Sequence, residues 1–298
     1  MNRINISMSN ACNLSCKYCH LKLTSEISGE LSWLDAKKIL DNVIDFVEEK
    51  NIRPFKIGLV GSGEPLMCYD LITEIVKYSK NFPKLSLYTI TNGTLFNDEM
   101  AQFFFEHRGT IHIDFSLDGP KKIHDAHRHF SDSRGTFDNI LNSISIYEKH
   151  FGSKPKISCT VHKETIEWSK EVLDYFKDNG FKHICFSRYI GPRESQYWIS
   201  QKEFDKFIYE AQTRGFILRQ TESFEKYDCV FYGKKCGVGI SNIYFSDGFV
   251  YPCARFIGMS EFILGDYKTP LHDIVETMKK KPNIAPMNKC YYDYLFLK

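Results

Sequence analysis

The sequence predicts an α/β protein: a partial (β/α)6 barrel followed by a small C-terminal α+β domain that carries cysteines. Up to about residue 215, six strand-like segments alternate with amphipathic segments of helical period. Such strands pair in parallel, because a helix supplies the crossover that parallel neighbours need. Six units are fewer than the roughly eight of a closed barrel. We therefore expect an open barrel with its active site at the carboxyl ends of the strands.

The predicted strands are rich in β-branched and apolar residues, and they span residues 3–9, 56–60, 85–91, 110–117, 156–161 and 182–188. The predicted helices span residues 32–50, 71–80, 98–107, 136–149, 166–179 and 201–213. The first helix is the clearest, with Ser32 as its expected N-cap. Its apolar stripe is expected to consist of Leu34, Ile39, Leu40, Val43, Ile44 and Val47.

The pattern changes after residue 215, so we divide the chain into a barrel, residues 1–215, and a smaller domain, residues 216–298. Residues 227–266 hold three cysteines together with many glycines and aromatic residues. Within them, Asp247 and Gly248 stand between alternating apolar residues, which is a strong turn signal. We therefore expect a β-hairpin over residues 243–251.

Composition and charge exclude several classes of partner. The 39 basic and 37 acidic residues of the 298 leave a formal net charge of +2, which calls for neither nucleic acid nor an anionic membrane. The N-terminal segment lacks the apolar core of a signal peptide, and no apolar stretch approaches membrane-spanning length. We therefore expect a cytoplasmic protein, in which ten cysteines are metal ligands or reactive thiols rather than disulfides.

The first cysteine group, Cys12, Cys16 and Cys19, lies just after the first predicted strand. Three thiols within eight residues can bind one metal centre, and soft thiolates select zinc or iron–sulfur. A structural zinc site remains open, because His20 would supply its fourth ligand. On a four-iron cluster, three thiolates would instead leave one iron open to another ligand.

The residues Cys12, Cys16, Tyr18 and Cys19 resemble the C-x-x-x-C-x-aromatic-C signature of the radical S-adenosylmethionine (SAM) superfamily. The resemblance continues after the next three strands, in residues 61–65, 91–95 and 113–120. It implies a SAM-binding [4Fe-4S] cluster on the cysteines, SAM on its open iron, and a 5′-deoxyadenosyl radical that abstracts hydrogen from a substrate. It also implies these cofactor-binding residues: Tyr18, Gly61, Ser62, Gly63, Glu64, Asn92, Ser116, Asp118 and Arg128.

The same resemblance assigns roles to some of these side chains. Glu64 would receive the SAM amino group, and Ser116 and Arg128 would contact its ribose or carboxylate, with Tyr18 near the adenine. A guanidinium suits that role because it can hold a carboxylate through two hydrogen bonds. Taken singly, each residue has an ordinary turn or surface role, and only the ordered set favours SAM. By their predicted places near strand ends, the substrate-side candidates are Asp118, Arg188, Tyr189 and Arg193.

The second cysteine group consists of Cys229, Cys236, Cys253 and Cys290. The residues around the first three resemble the start of a SPASM or twitch domain, a type that carries auxiliary [4Fe-4S] clusters. The chain ends eight residues after Cys290, so we expect one auxiliary [4Fe-4S] cluster, with Cys290 as its fourth ligand. Zinc on the same four cysteines, or a cluster with an open iron, are the alternatives.

Two further cysteines, Cys159 and Cys185, fall in the fifth and sixth predicted strands. A thiol that points into a barrel could donate a hydrogen atom to a substrate radical, so both are catalytic candidates. A buried cysteine is more often a small hydrophobic residue, and Cys68 is given only that role.

The motifs are similar to those of radical SAM enzymes that act on peptides and proteins. The leading hypothesis is modification of a ribosomally made peptide by a crosslink, a thioether or an epimerisation. Sulfatase maturation is disfavoured, because Ala254 stands where that branch has an aspartate base. One alternative is a twitch-type dehydrogenase of a sugar or aminocyclitol, and another is a zinc-stapled binding module without enzymatic activity.

The expected partners follow from this hypothesis. A flavodoxin- or ferredoxin-type protein would supply the electron, and the substrate would be a peptide or, in the alternative, a small molecule. Only eleven residues precede Cys12, so a leader peptide would be recognised by a separate protein or by the barrel surface. We expect neither nucleic acid nor a membrane as a partner.

Overall fold

A parallel sheet forms the centre of the protein in the computed structural model, which describes residues 1–19, 30–219, 227–232, 234–238, 241, 243–280 and 290–296. Its first seven strands are Arg3–Ile6 (β1), Phe55–Leu59 (β2), Leu85–Thr91 (β3), Ile111–Ser116 (β4), Ile157–Val161 (β5), His183–Arg188 (β6) and Ile217–Leu218 (β7). They lie side by side in chain order, and every adjacent pair is parallel. The prediction of six parallel βα units is confirmed; the two-residue β7 was too short to predict.

The helices between these strands are Trp33–Lys50 (α1), Tyr69–Ser79 (α2), Asp98–Glu106 (α3), Lys121–His127 (α4), Phe137–Phe151 (α5), Lys163–Glu167 (α6), Ser169–Asp178 (α7) and Gln201–Thr213 (α8). The helix predicted over residues 166–179 is in fact two helices, α6 and α7, which meet at Trp168. Helix α4 was not predicted, because its seven residues show no apolar period. Among the described helices, none combines the length and apolarity needed to cross a membrane.

Helix α1 begins where its cap predicts. The Ser32 hydroxyl accepts a hydrogen bond from the Asp35 amide at 3.1 Å. The prediction that Leu34 belongs to the buried stripe is wrong, because its side chain is 70% exposed. Leu34 precedes the buried Ala36 by two positions, which is about 200° around an α-helix, so it points away from the core.

The C-terminal segment extends the same sheet. Strands Tyr244–Ser246 (β10) and Phe249–Tyr251 (β11) form the predicted hairpin, and β10 pairs in parallel with β1. At the turn, Asp247 and Gly248 both have positive φ, as a two-residue hairpin loop requires. The remaining strands and α-helices of the described residues are Tyr227–Asp228 (β8), Lys235–Cys236 (β9), Gly265–Asp266 (β12), Leu271–Lys280 (α9) and Tyr291–Phe296 (α10).

The buried side chains of the described residues form two clusters. The larger lies between the sheet and its helices and includes Phe245 and Val250 of the hairpin. The smaller consists of Val230, Phe231, Cys236, Val238 and Cys290. A domain boundary at residue 215 stays a prediction, since the hairpin beyond it packs with the barrel.

Candidate functional site

The loop after β1 presents Cys12, Cys16 and Cys19 to one cavity of about 270 Å³ at the carboxyl ends of the strands. Backbone hydrogen bonds fix this loop to the end of α4 and to the segment after it: the Lys17 amide donates to the His127 carbonyl at 3.0 Å, and the Ser15 amide donates to the His129 carbonyl at 2.9 Å. The candidate zinc ligand His20 lies outside the described residues.

The environment of the three thiols suits metal binding. Burial raises the pKa of the Cys12 thiol to about 12, and burial also raises the pKa of Cys16. The neighbouring thiols add to the shift at Cys12, because nearby negative charges repel one another. A bound metal cation would supply the missing positive charge, so deprotonation here is coupled to metal binding. Three thiolates on one face of a cavity fit a [4Fe-4S] cluster with one iron open.

The turn after β2 packs directly against this loop. The Glu64 amide donates to the Ala11 carbonyl at 2.8 Å. Gly63 has φ of +76°, and a Cβ atom there would lie 2.3 Å from the Ala11 oxygen. Only glycine fits both the conformation and the contact.

The Glu64 side chain is 4% exposed and faces the cavity. Its carboxylate accepts hydrogen bonds from the Thr91 hydroxyl at 2.5 Å, the Asn92 amide at 2.7 Å and the Leu66 amide at 3.1 Å. Burial raises its pKa in spite of these bonds. A cationic ammonium group in the cavity would therefore be a favourable partner for this carboxylate.

Arg128 reaches the cavity from the end of α4 and is held by a buried carboxylate. Its Nε donates to Asp118 Oδ2 at 2.7 Å, and the Tyr18 hydroxyl donates to the same oxygen. Asp118 Oδ1 accepts from the Thr160 amide at 2.9 Å. Burial alone would raise the pKa of Asp118, but Arg128, His124 and the Tyr18 hydrogen bond together lower it to about 2. The pair is thus charged, and the guanidinium is fixed in place.

The structure brings most of the sequence-predicted cofactor residues to this cavity. Those that line it are Tyr18, Gly61, Gly63, Glu64, Asn92, Ser116 and Arg128. Asp118 is fully buried behind Arg128 and does not line the cavity. Ser62 also points elsewhere, and its amide donates to the Ser7 hydroxyl at 3.0 Å.

Several lining residues were not predicted. Thr160 and Ser187 line the cavity at the carboxyl ends of β5 and β6. The rule that active sites lie at these strand ends was the available signal. Of the substrate-side candidates, Arg188 and Tyr189 line the cavity. Arg193 instead lies over the Trp198 ring, 6.0 Å from its centroid.

The second cysteine group lines a separate cavity of about 210 Å³. Cys229, Cys236, Cys253 and Cys290 all contribute to its wall. Burial raises the pKa of Cys253 to about 12, and the thiols of Cys290 and Cys236 add to this shift. Arg255 donates to the Cys290 sulfur at 3.2 Å, which places a cation beside the group. These four thiols fit a second cluster.

A third cavity of about 300 Å³ occupies the barrel interior near the amino ends of the strands. Its wall carries Arg3, Lys56, Lys156 and Arg219 against one carboxylate, Asp114. Burial raises the pKa of Asp114 to about 6. We call this the basic chamber.

The three cavities adjoin one another in the barrel. Ile90 of β3 lines all of them. Cys185 lines the basic chamber, whereas Cys159 is fully buried and lines none of the three. Burial raises the pKa of Cys159 well above its usual range. The cavities of the two cysteine groups therefore both adjoin a basic pocket.

The chain is similar to known radical SAM and sulfatase-maturating enzymes. A cysteine-type anaerobic sulfatase-maturating enzyme of Clostridium perfringens is 24% identical over 297 residues, which covers 91% of this chain and 79% of the relative. The radical SAM cyclopropyl synthase TigE of Paramaledivibacter caminithermalis is 23% identical over 203 residues, covering 63% of this chain and 42% of TigE.

Solved structures show the same fold. Native anSMEcpe with bound AdoMet superposes with a TM-score of 0.72 at 23% identity, covering 92% of this chain and 80% of that one. Streptococcus suis SuiB bound to S-adenosylmethionine superposes with a TM-score of 0.70 at 14% identity, covering 94% of this chain and 66% of that one. The family model of the Radical SAM superfamily matches residues 6–162, just over half of the 298 residues. The chain belongs to the radical SAM superfamily.

Proposed function

We propose that this radical SAM enzyme modifies a ribosomally made peptide, by a crosslink, a thioether or an epimerisation. The observation that carries the proposal is that the cavities of the two cysteine groups adjoin, with Ile90 in the wall of both. Two of the similar structures support a peptide: anSMEcpe was solved with the Cp18Cys peptide, and SuiB with its precursor peptide SuiA.

The chemistry that SAM and a [4Fe-4S] cluster supply when bound is reductive cleavage of SAM and hydrogen abstraction by the resulting 5′-deoxyadenosyl radical. The chain itself binds and orients. Glu64 would accept the SAM ammonium group, and Arg128, fixed by Asp118, would pair with the SAM carboxylate. Ser116 lies at the strand end beside them, where it can bond the ribose.

The basic chamber favours a peptide with an acidic group. Four cationic side chains face one carboxylate there. The pKa of His112, in the same wall, is lowered to about 4 by burial and by three nearby cations. A glutamate, aspartate or terminal carboxylate of the substrate would be attracted to such a pocket. An aminocyclitol carries cationic amines that these side chains would repel, which argues against an aminocyclitol as the substrate of the dehydrogenase alternative.

The second cysteine group would hold the auxiliary [4Fe-4S] cluster and accept or relay an electron from the substrate. If the reaction is an epimerisation, Cys185 is the better hydrogen donor of the two candidates, because it faces the chamber. Cys159 would remain a packing residue. The zinc-stapled module is not retained, because membership of the superfamily accounts for the motifs that it leaves unexplained.

A flavodoxin- or ferredoxin-type reductant and a separate leader-binding protein complete the proposal. Its test is anaerobic incubation of the reconstituted enzyme with SAM, dithionite and short peptides encoded beside its gene, followed by mass spectrometry. We expect 5′-deoxyadenosine and a mass change in one peptide. The Cys12/Cys16/Cys19→Ala variant should give neither product. Turnover with sugars or aminocyclitols but with no peptide would contradict the proposal.

A further inference from the structure

A group of three potential metal ligands lies beside Tyr18, outside the three cavities. It consists of His127 at the end of α4, His162 just after β5, and Glu164 in the first turn of α6. One ligand atom from each lies within 4.8 Å of the other two. Among the residues that the structure describes, no other set of histidine, cysteine and acidic side chains is this close.

The two imidazole rings are buried, and most of their nitrogens lack a partner. The exposed fraction is 4% for His127 and 0% for His162, and the ring centroids are 4.2 Å apart. Neither nitrogen of His162 has a hydrogen-bond partner, and neither does Nδ1 of His127. A buried polar atom without a partner destabilises the folded protein. Three such atoms in one place point to a ligand that satisfies them.

Packing and ion pairing do not account for this group. The ring centroids of Tyr18 and Tyr197 lie 5.4–5.9 Å from those of the two imidazoles, in tilted or edge-on contacts. Such contacts leave the nitrogens, which lie in the ring plane, unsatisfied. The His127 Nε2 contacts the Glu164 carboxylate, but that contact does nothing for either nitrogen of His162.

We propose that His127, His162 and Glu164 bind a zinc ion, with water as the fourth ligand. Two imidazoles and one carboxylate are a common zinc donor set when a fourth position is left open. Magnesium and calcium prefer all-oxygen ligands, and cuprous copper prefers sulfur. The Glu164 side chain is 47% exposed, which provides the route by which the ion enters.

The ion would tie three elements together behind the cysteine loop. The His127 carbonyl already accepts from the Lys17 amide of that loop. None of the three ligands lines the cavity of Cys12, Cys16 and Cys19, so the role of the zinc ion is structural. Zinc would hold α4 and α6 together against Tyr18. This inference does not depend on what the substrate is.

The test is zinc content of the holoenzyme, whose reconstituted clusters occupy the cysteine thiols. The protein is stripped with EDTA, incubated with zinc chloride and desalted, and zinc and iron per chain are measured by mass spectrometry. We expect about one zinc in the wild type, and its loss in His162→Gln and in Glu164→Gln. Glu164 is half exposed, so its variant should fold even if the histidine variant does not. Iron content should be unchanged in both.

His150→Gln is the matched control, because His150 pairs with a carboxylate, Asp98, at 3.1 Å but has no second histidine as a partner. It should keep its zinc. Zinc-edge X-ray absorption of the wild type should show nitrogen and oxygen neighbours at about 2.0–2.1 Å and no sulfur shell at about 2.3 Å. Equal zinc in all variants, or a sulfur shell, would overturn the proposal.

Discussion

The charged pair of Asp118 and Arg128 is the feature of the SAM cavity whose removal has the most predictable effect. We consider the change Asp118→Asn, which keeps the shape and removes the charge. Asp118 Oδ2 accepts from Arg128 and Tyr18, and Oδ1 accepts from the Thr160 amide. An asparagine offers only one oxygen, so its NH2 group must face at least one of these donors, whichever way it is turned.

The magnitude follows from two estimates. The pKa of Asp118 is about 2 against the ordinary 3.8, a difference worth about 2–3 kcal/mol of stability at neutral pH. Breaking a buried ion pair by removing one partner costs about 3–5 kcal/mol. We expect Asp118→Asn to lower the free energy of unfolding by about 2–4 kcal/mol at pH 7. Because the folded pKa is lowered, the loss should be full above pH about 5 and should shrink as pH falls from 4 towards 2.

The assay is urea unfolding of the reduced apoprotein under nitrogen, at several pH values. Asp98→Asn is the control, since Asp98 and its partner Lys149 are both exposed and such pairs contribute about 0–1 kcal/mol. SAM affinity of the reconstituted enzyme should fall about 10- to 100-fold in Asp118→Asn, because an unsupported Arg128 no longer keeps its position. A stability within 0.5 kcal/mol of the wild type would refute the reasoning.

Three further predictions follow from the same geometry. Gly63→Ala should destabilise the protein by about 2–4 kcal/mol and abolish SAM cleavage, because its Cβ would lie 2.3 Å from the Ala11 oxygen and its φ is unfavourable. Gly152→Ala is the control, because Gly152 also has a positive φ but open space around it. It should lower the free energy of unfolding by only about 1–2 kcal/mol in the same assay. Asp114→Asn should raise the free energy of unfolding at pH 7.5 by about 2–3 kcal/mol. The reason is that the raised pKa of Asp114 makes the wild-type protein lose stability as pH rises from about 4 to 6. Below about pH 4 the variant and the wild type should be equally stable. Iron analysis should find about eight irons per reconstituted wild-type chain and about four in the Cys12/Cys16/Cys19→Ala variant. About four irons in the wild type and none in the variant would contradict the predicted auxiliary cluster.

The order of the motifs was enough to predict that Glu64, Asn92 and Ser116 would meet. They follow consecutive strands, and the carboxyl ends of parallel strands lie at one edge of a sheet. The position of Asp118 was not predictable in the same way. Its turn away from the cavity depends on Arg128, and Arg128 is placed by α4, a helix too short to show a period. The local sequence pattern therefore predicted which backbone segments form the site, whereas charge pairing determines which side chains face the cavity.

The pairing of β10 with β1 likewise could not be predicted from the local sequence pattern, and it determines where the second cysteine group lies. The register joins Asn5 to Tyr244 over a separation of more than two hundred residues. Because Cys253 follows β11 of the same hairpin, this pairing carries the second cysteine group to the edge of the barrel beside β1, the strand that leads into the first group. Ile90 lines the cavities of both groups, so a substrate bound against Ile90 would lie beside both cavities. Ile90 also lines the basic chamber, so the acidic group proposed for the substrate would bind next to them.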